Sequence, residues 1–236
     1  MSTTPAASAS RRRVSEAADP QLAPDAQLGA TARHMLDVAE KLLAERGFEH
    51  VSLRDIVNES GQRNLSAARY HFGSREQLIG ALIARRMWHI NEDRHARFDA
   101  LEAAGRQGDV RALVRESLDA LAHTVRTEPW GADYVRVAAQ ATFSPLLRIN
   151  DLIDPRCRSG HLRFVQLARA ALPDLPDRVF GDRVRLINNE IVYAIARWIH
   201  DHGPVTPSNR RRYDALVRHT IEFLAAGMAA PHGDSE

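Results

Sequence analysis

From residue 32 onward, apolar side chains recur at the three-and-four spacing of helices, and no stretch shows the strict alternation of a half-buried strand. Ala32, Met35, Leu36, Ala39, Leu42 and Leu43 line one face of a first helix. Gly47 is placed to close it as a left-handed cap, with Phe48 folding back on the last turn. Ser52 caps a second helix over 53–60, with Asp55 positioned for a capping box and Val51 and Ile56 spaced as a hydrophobic staple. Gly61 breaks that helix. A third runs from Asn64 to Phe72 and stops at Gly73. Ser74, with Gln77 three residues on, starts a long fourth helix that reaches about residue 100 through Leu78, Leu82, Ile83 and Ile90. Further helical stretches cover 109–127, 130–143, 156–172, 177–202 and 207–228, with prolines at or near their boundaries. The pattern predicts an all-α chain. A basic, disordered arm (1–27) precedes a three-helix helix-turn-helix domain (28–76). The long helix joins this to a C-terminal helical bundle (77–229), and a short tail (230–236) follows.

A net charge of +2 over 236 residues excludes little, but its distribution is informative. Between Gly61 and Arg75 stand three arginines and a histidine with no acid, a local positive patch. Arg11, Arg12 and Arg13 lie in a Ser-, Ala- and Pro-rich arm that lacks the apolar middle of a signal peptide and can brush DNA phosphates or simply be solvated. Cys157 is the only cysteine, which rules out an internal disulfide and favours a cytoplasmic setting. No apolar run approaches the roughly 18 residues that would span a bilayer, so no membrane role is expected.

A supporting helix, a sharp turn and a second short helix form the unit that lays its second helix in the DNA major groove. Ile56, Val57, Leu65, Ala68 and Phe72 are spaced to hold the pair together. That leaves Gln62, Arg63, Asn64, Ser66, Arg69 and Tyr70 facing outward, with Arg54 and His71 close by. Asn pairs bidentately with adenine and Arg with guanine, while Ser, Tyr and Arg also serve phosphates. Arg75 is placed to meet a phosphate beside the free amides of the fourth helix. For Tyr70 and His71, packing onto the first helix is the competing role.

At these residues the chain resembles the TetR family of bacterial transcriptional regulators. Gly47-Phe48 matches the family's Gly-aromatic helix end, Ser52 and Ile56 its capped second helix, and Gly61 its turn glycine. Tyr70-His71-Phe72 and Ser74-Arg75-Glu76-Gln77-Leu78 match the aromatic helix end and the segment after it. One departure stands out. The family places the turn glycine ten residues before the final Phe and a phosphate-binding Tyr three before it. Here the spacing is eleven, Arg69 holds that position and the aromatic has moved to Tyr70. The extra residue is expected to widen the turn at Gln62–Asn64.

The resemblance implies a homodimeric repressor that a small, partly apolar molecule releases from a pseudo-palindromic operator in double-stranded DNA. It assigns pairing to 177–202 and 207–228. Ile187, Ile191, Ala194, Ile195 and Trp198 form an apolar stripe on the first of these, and Leu216, Val217, Thr220, Phe223 and Leu224 form one on the second. A dimer seam and an ordinary core face look identical at this level. Trp130, Tyr134, Phe143, Phe164, Tyr193 and Trp198 are candidate walls of an effector pocket, with Asn189, Glu190 and Arg197 to orient a polar group.

No G-x-S-x-G, phosphate-loop or H-E-x-x-H pattern points to an enzyme, and none asks for a cofactor or metal. Arginines flank Cys157 and can lower its pKa, although a buried structural thiol is the plainer reading. His200-Asp201-His202 lacks a third ligand at metal spacing and ends a helix favourably instead. Two rival readings remain: an all-α small-molecule sensor or enzyme whose front module contacts protein, and a nonspecific DNA-binding protein.

Overall fold

The computed structural model describes residues 23–62, 64–144 and 149–232, and among these every regular element is helical. Three helices build the front of the molecule: α1 (Ala30–Arg46), α2 (Leu53–Glu59) and α3 (Leu65–Phe72). Their ends follow from local chemistry. Ser52 and Asp55 form a complete capping box at the start of α2. Gly47 ends α1 by donating to the Leu43 carbonyl, but its ψ of 162° is extended. The chain therefore leaves α1 along a short 3-10 turn, Phe48–His50, where a left-handed cap was expected.

From the capping box of Ser74 and Gln77 rises α4 (Arg75–Ala103), the longest element. Its first half closes the front core, where Leu78, Ile79, Leu82 and Ile83 meet Met35, Leu36, Leu43, Ile56 and Phe72. Its second half enters a larger core through Ile90, Phe98 and Leu101. That core is shared with α5 (Val110–Thr127), α6 (Gly131–Phe143), α8 (Ser159–Ala171), α9 (Asp177–His202) and α10 (Arg210–Met228). The four-residue α7 (Ile149–Leu152) and a 3-10 turn, Pro155–Arg158, lie alongside α4.

Both ends of the described chain are anchored. Residues 24–27 fall inside the expected arm but form a 3-10 turn packed against α4; residues 1–22, including the arginine triplet, lie outside the described residues. At the other end, the Arg183 guanidinium donates to the carbonyls of Met228, Ala230 and Pro231, tying the start of the tail to α9.

Polar links join the front to the rest, among them Arg85 of α4 to Asp37 of α1 (2.7 Å) and two that reach deeper. Glu40 of α1 and Arg86 of α4 form a buried, bidentate ion pair, and the guanidinium lies 4.1 Å from the centre of the Trp130 ring. Burial raises the Glu40 pKa, against the lowering influence of Arg86 and Arg85. The second link is Gln140 of α6. Its Oε1 accepts from the Phe48 amide (3.0 Å) and its Nε2 donates to the Leu43 carbonyl (3.1 Å). One side chain thus satisfies the Phe48 amide and adds a second bond to the Leu43 carbonyl, which already accepts from Gly47.

Candidate nucleic-acid interface and internal cavity

The turn between α2 and α3 is closed by backbone bonds. Gly61 donates to Asn58 and Gln62 to Val57, a Schellman arrangement. Gly61 takes φ +70°, which a side chain would resist. Ile56, Val57, Ala68 and Phe72 are buried beneath the turn and Leu65 is half-buried. The opposite face of α3 presents Ser66, Arg69 and Tyr70 to solvent, and Tyr70 is 83% exposed with its ring edge-on to His71 at 5.3 Å. Packing of Tyr70 onto α1 is therefore excluded. Arg54 and His71 are also exposed, and Gln62 is half-buried.

Two predicted contact residues have occupations inside the protein. Asn64 is the N-cap of α3, its Oδ1 accepting from the Ser66 amide at 2.8 Å. That bond uses one lone pair of the amide oxygen and fixes the direction in which the exposed amide faces. Arg75 turns away from the α4 N-terminus: its Nε donates to the Val51 carbonyl (2.7 Å) and its Nη2 to that of Phe48. It buckles the α1–α2 connection onto α4. Arg63 lies outside the described residues.

Between the α4–α6 wall and helices α8 and α9 lies a cavity of about 640 Å³. Ile83, Met87, Ile90, Leu118, Leu121 and Val192 give it an apolar lining. Asn91, Arg94, Ser117, Tyr134, His161 and Asn189 supply polar groups. Burial raises the Tyr134 pKa and lowers that of His161 to about 4, with Arg94 and Arg158 adding to the latter shift. Both groups are therefore neutral at pH 7.

The comparisons fit this geometry. The N-terminal model of the bacterial tetR regulatory proteins matches residues 35–82, and a tetracyclin repressor-like C-terminal domain model matches 117–227. The chain belongs to the TetR family.

No curated protein matches this TetR-family sequence, whereas solved structures do. A tetR family transcription regulator from Shewanella sp. PV-4 is similar over 83% of this chain and 96% of its own, with TM-score 0.62 and 16% identity. The fatty acid degradation regulator FadR from Bacillus halodurans is similar over 84% and 96%, with TM-score 0.60 and 14% identity. FadR from Bacillus subtilis, solved in complex with stearoyl-CoA, covers 83% and 98% with TM-score 0.57 and 14% identity. At these identities the likeness is one of fold.

The TetR-family cavity uses few of the residues expected to wall it. Tyr134 and Asn189 line it. Phe143 is 66% exposed, Tyr193 is 52% exposed, and Glu190 faces solvent. Arg197 bonds Asp201 (2.9 Å) one turn away on the surface. Trp130 braces Arg86 and packs edge-on to Tyr134, Phe164 is wholly buried, and Trp198 stacks on His202 and meets Tyr213 edge-on. Met87, Asn91, Arg94, Ser117 and His161, absent from the expected set, line it as well. Their signal was present: Asn91 and Arg94 interrupt the apolar stripe Met87, Ile90, Phe98 of α4.

The remaining candidates resolve simply. Cys157 is buried, and burial, followed by Asp154, pushes its thiol pKa up despite the flanking arginines. Asp201 is held by Arg197 and His202 by the Trp198 carbonyl. Among the described residues no cluster could hold a metal ion, and no helix is long and apolar enough to cross a membrane.

Proposed function

We propose that this DNA-binding regulator is a homodimeric repressor in which the exposed face of α3 reads the operator and a small molecule in the cavity releases it. Residues 28–76 read DNA; residues 77–229 bind the effector and pair the subunits. Its place of action is the cytoplasm. The observation that carries the reading is the double role of α6. Tyr134, Ala138 and Ala141 stand against the cavity, and Val137, Gln140 and Ala141 hold the end of α1. A ligand that shifts α6 moves the reading head with it. The coupling is then the difference in ligand affinity between the two positions. The α4 helix, packed against both regions, is the second route.

Of the side chains expected to pair the subunits, exposed Phe223 supports the seam, and Leu186 and Tyr193 join it. Ile187, Ile191, Ile195 and Trp198 of α9, and Val217 and Leu224 of α10, are buried within the single chain. The opposite faces carry Leu186 and Tyr193 on α9 and Phe223 on α10, 52–77% exposed. A partner's matching helices would cover them in a four-helix seam. Two reading helices would then meet half-sites about 34 Å apart.

The test is selection of bound genomic fragments by purified protein, with sedimentation to fix the oligomeric state. A short inverted repeat bound by a dimer is expected. Salt-sensitive binding without sequence preference would leave only a nonspecific DNA-binding protein. Absence of binding would return the front module to protein contacts.

A further inference from the structure

Two arginines of α4 point inward, and they differ in one respect. Arg86 has its acid, Glu40. Arg94 has none: among the described residues no carboxylate lies within ion-pair distance of it, and the neighbouring Asp93 is bonded to Arg97 at 2.9 Å. Its bonds go to neutral oxygens, Nε to the Ser117 carbonyl (3.1 Å) and Nη1 to Asn91 Oδ1 (2.8 Å). Protein encloses the guanidinium, yet part of its surface opens to the cavity that it helps to line. Burial lowers its pKa to about 10, so it remains a cation at neutral pH. An enclosed cation without a counter-charge is costly, and an anion brought in by a ligand would offset that cost.

The group is also fixed in place. Asn91, whose Oδ1 accepts from Arg94, donates its Nδ2 to the Cys157 carbonyl, so the guanidinium is held by α5 through Ser117 and by an Asn91 that is itself anchored to the 155–158 turn. Helix α8 rides close over this pair because residue 160 is glycine. A Cβ there would stand 2.7 Å from Asn91 Oδ1 and 3.2 Å from the Arg94 Cδ. Arg158 and the neutral His161 stand along the same wall, and Asp151, exposed to solvent, is the acid among the lining residues. Away from these groups the lining is apolar, through Met87, Ile90, Leu118, Leu121 and Val192.

We propose that the cavity takes a small amphipathic acid, with its carboxylate or phosphate on the Arg94 guanidinium and its hydrocarbon body against Met87, Leu118 and Leu121. This rests on the cavity's being the effector site. The probes are decanoate, decyl phosphate, decanol and decyltrimethylammonium, titrated calorimetrically into the full chain without DNA. At least one of the two anions should bind roughly 10- to 100-fold more tightly than decanol, with the cation weakest, and the better anion identifies the head group. Arg94→Gln should remove that advantage while leaving decanol binding unchanged, and Arg94→Lys should keep part of it. Decanol binding as tightly as both anions, or an anion preference that survives in Arg94→Gln, overturns the proposal. If Arg94→Gln does not fold, the ligand series on the unaltered protein decides. An anion that binds as expected but leaves operator occupancy unchanged sinks the release mechanism and not the ligand class.

Discussion

Ser66, Arg69 and Tyr70 share the solvent face of α3, whereas Arg75 and Asn64 are engaged within the fold, and substitutions should separate the two sets. Replacing Arg69 with Ala should weaken specific DNA binding by about 1–3 kcal/mol if it reads a base, with little change in melting temperature. Gel shifts on operator and random DNA measure it; undiminished discrimination would remove Arg69 from the base contacts. Arg75→Ala should do the reverse. Losing its bonds to Val51 and Phe48 should cost about 1–3 kcal/mol of stability, read by denaturant unfolding, and leave the salt dependence of DNA binding unchanged. His161 gives a pH signature. Its folded-state pKa of about 4 lies below the ordinary 6.5, with burial as the main cause and Arg94 and Arg158 as the charges facing it. Above pH 6.5 neither state is protonated. Between 6.5 and about 4 only the unfolded chain takes up the proton, so stability falls as the pH drops through that window. A His161→Gln variant should show a flatter profile there.

Among the elements, α6 is the one whose alteration should affect both ends of the molecule. Gln140→Leu removes the bonds to Leu43 and Phe48 and should cost about 1–3 kcal/mol in unfolding free energy. If α6 transmits the effector signal, the same variant should bind a cavity ligand normally while losing much of its DNA response; an intact response would shift that role to α4. This link could not be read from the sequence, because residues 43, 48 and 140 are far apart in the chain and polar side chains carry no periodicity that marks a partner. What was legible is local. The capping residues Ser52, Asp55, Ser74 and Gln77 set helix starts within their own turn, and those starts stand as read. The short α7 carries too few residues to show a period. On α9 the isoleucine stripe was visible, but periodicity identifies an apolar face without naming what covers it, and its own chain does. The cavity was least legible of all. It lies where side chains of six helices fail to meet, and large aromatics such as Phe164 and Trp198 fill space instead of bounding it.

For the whole molecule, the outward Leu186, Tyr193 and Phe223 make a direct test of pairing. Tyr193→Glu combined with Phe223→Glu places charge where a seam would exclude water. Sedimentation should show monomers with unchanged helicity, and operator affinity should fall steeply because one subunit reads only half a site. A dimer that survives both changes would move the interface elsewhere. The front and back cores are joined by α4, by Gln140 and by the Arg86–Glu40 pair stacked on Trp130. Removing one member of that pair, as in Arg86→Ala, leaves a buried charge alone and should destabilise the fold by about 3–5 kcal/mol.

The lone thiol makes the protein its own reporter. Cys157 is 1% exposed, and its carbonyl accepts from Asn91, the residue that holds Arg94. The thiol packs with Ala84 and Ile153, so a reagent can reach it only when this packing opens, and the labelling rate measures the local opening equilibrium without an added dye. With one cysteine in 236 residues, every labelled molecule reports the same place. A ligand that settles on Arg94 should slow the reaction in proportion to its occupancy, which turns a structural thiol into a binding assay.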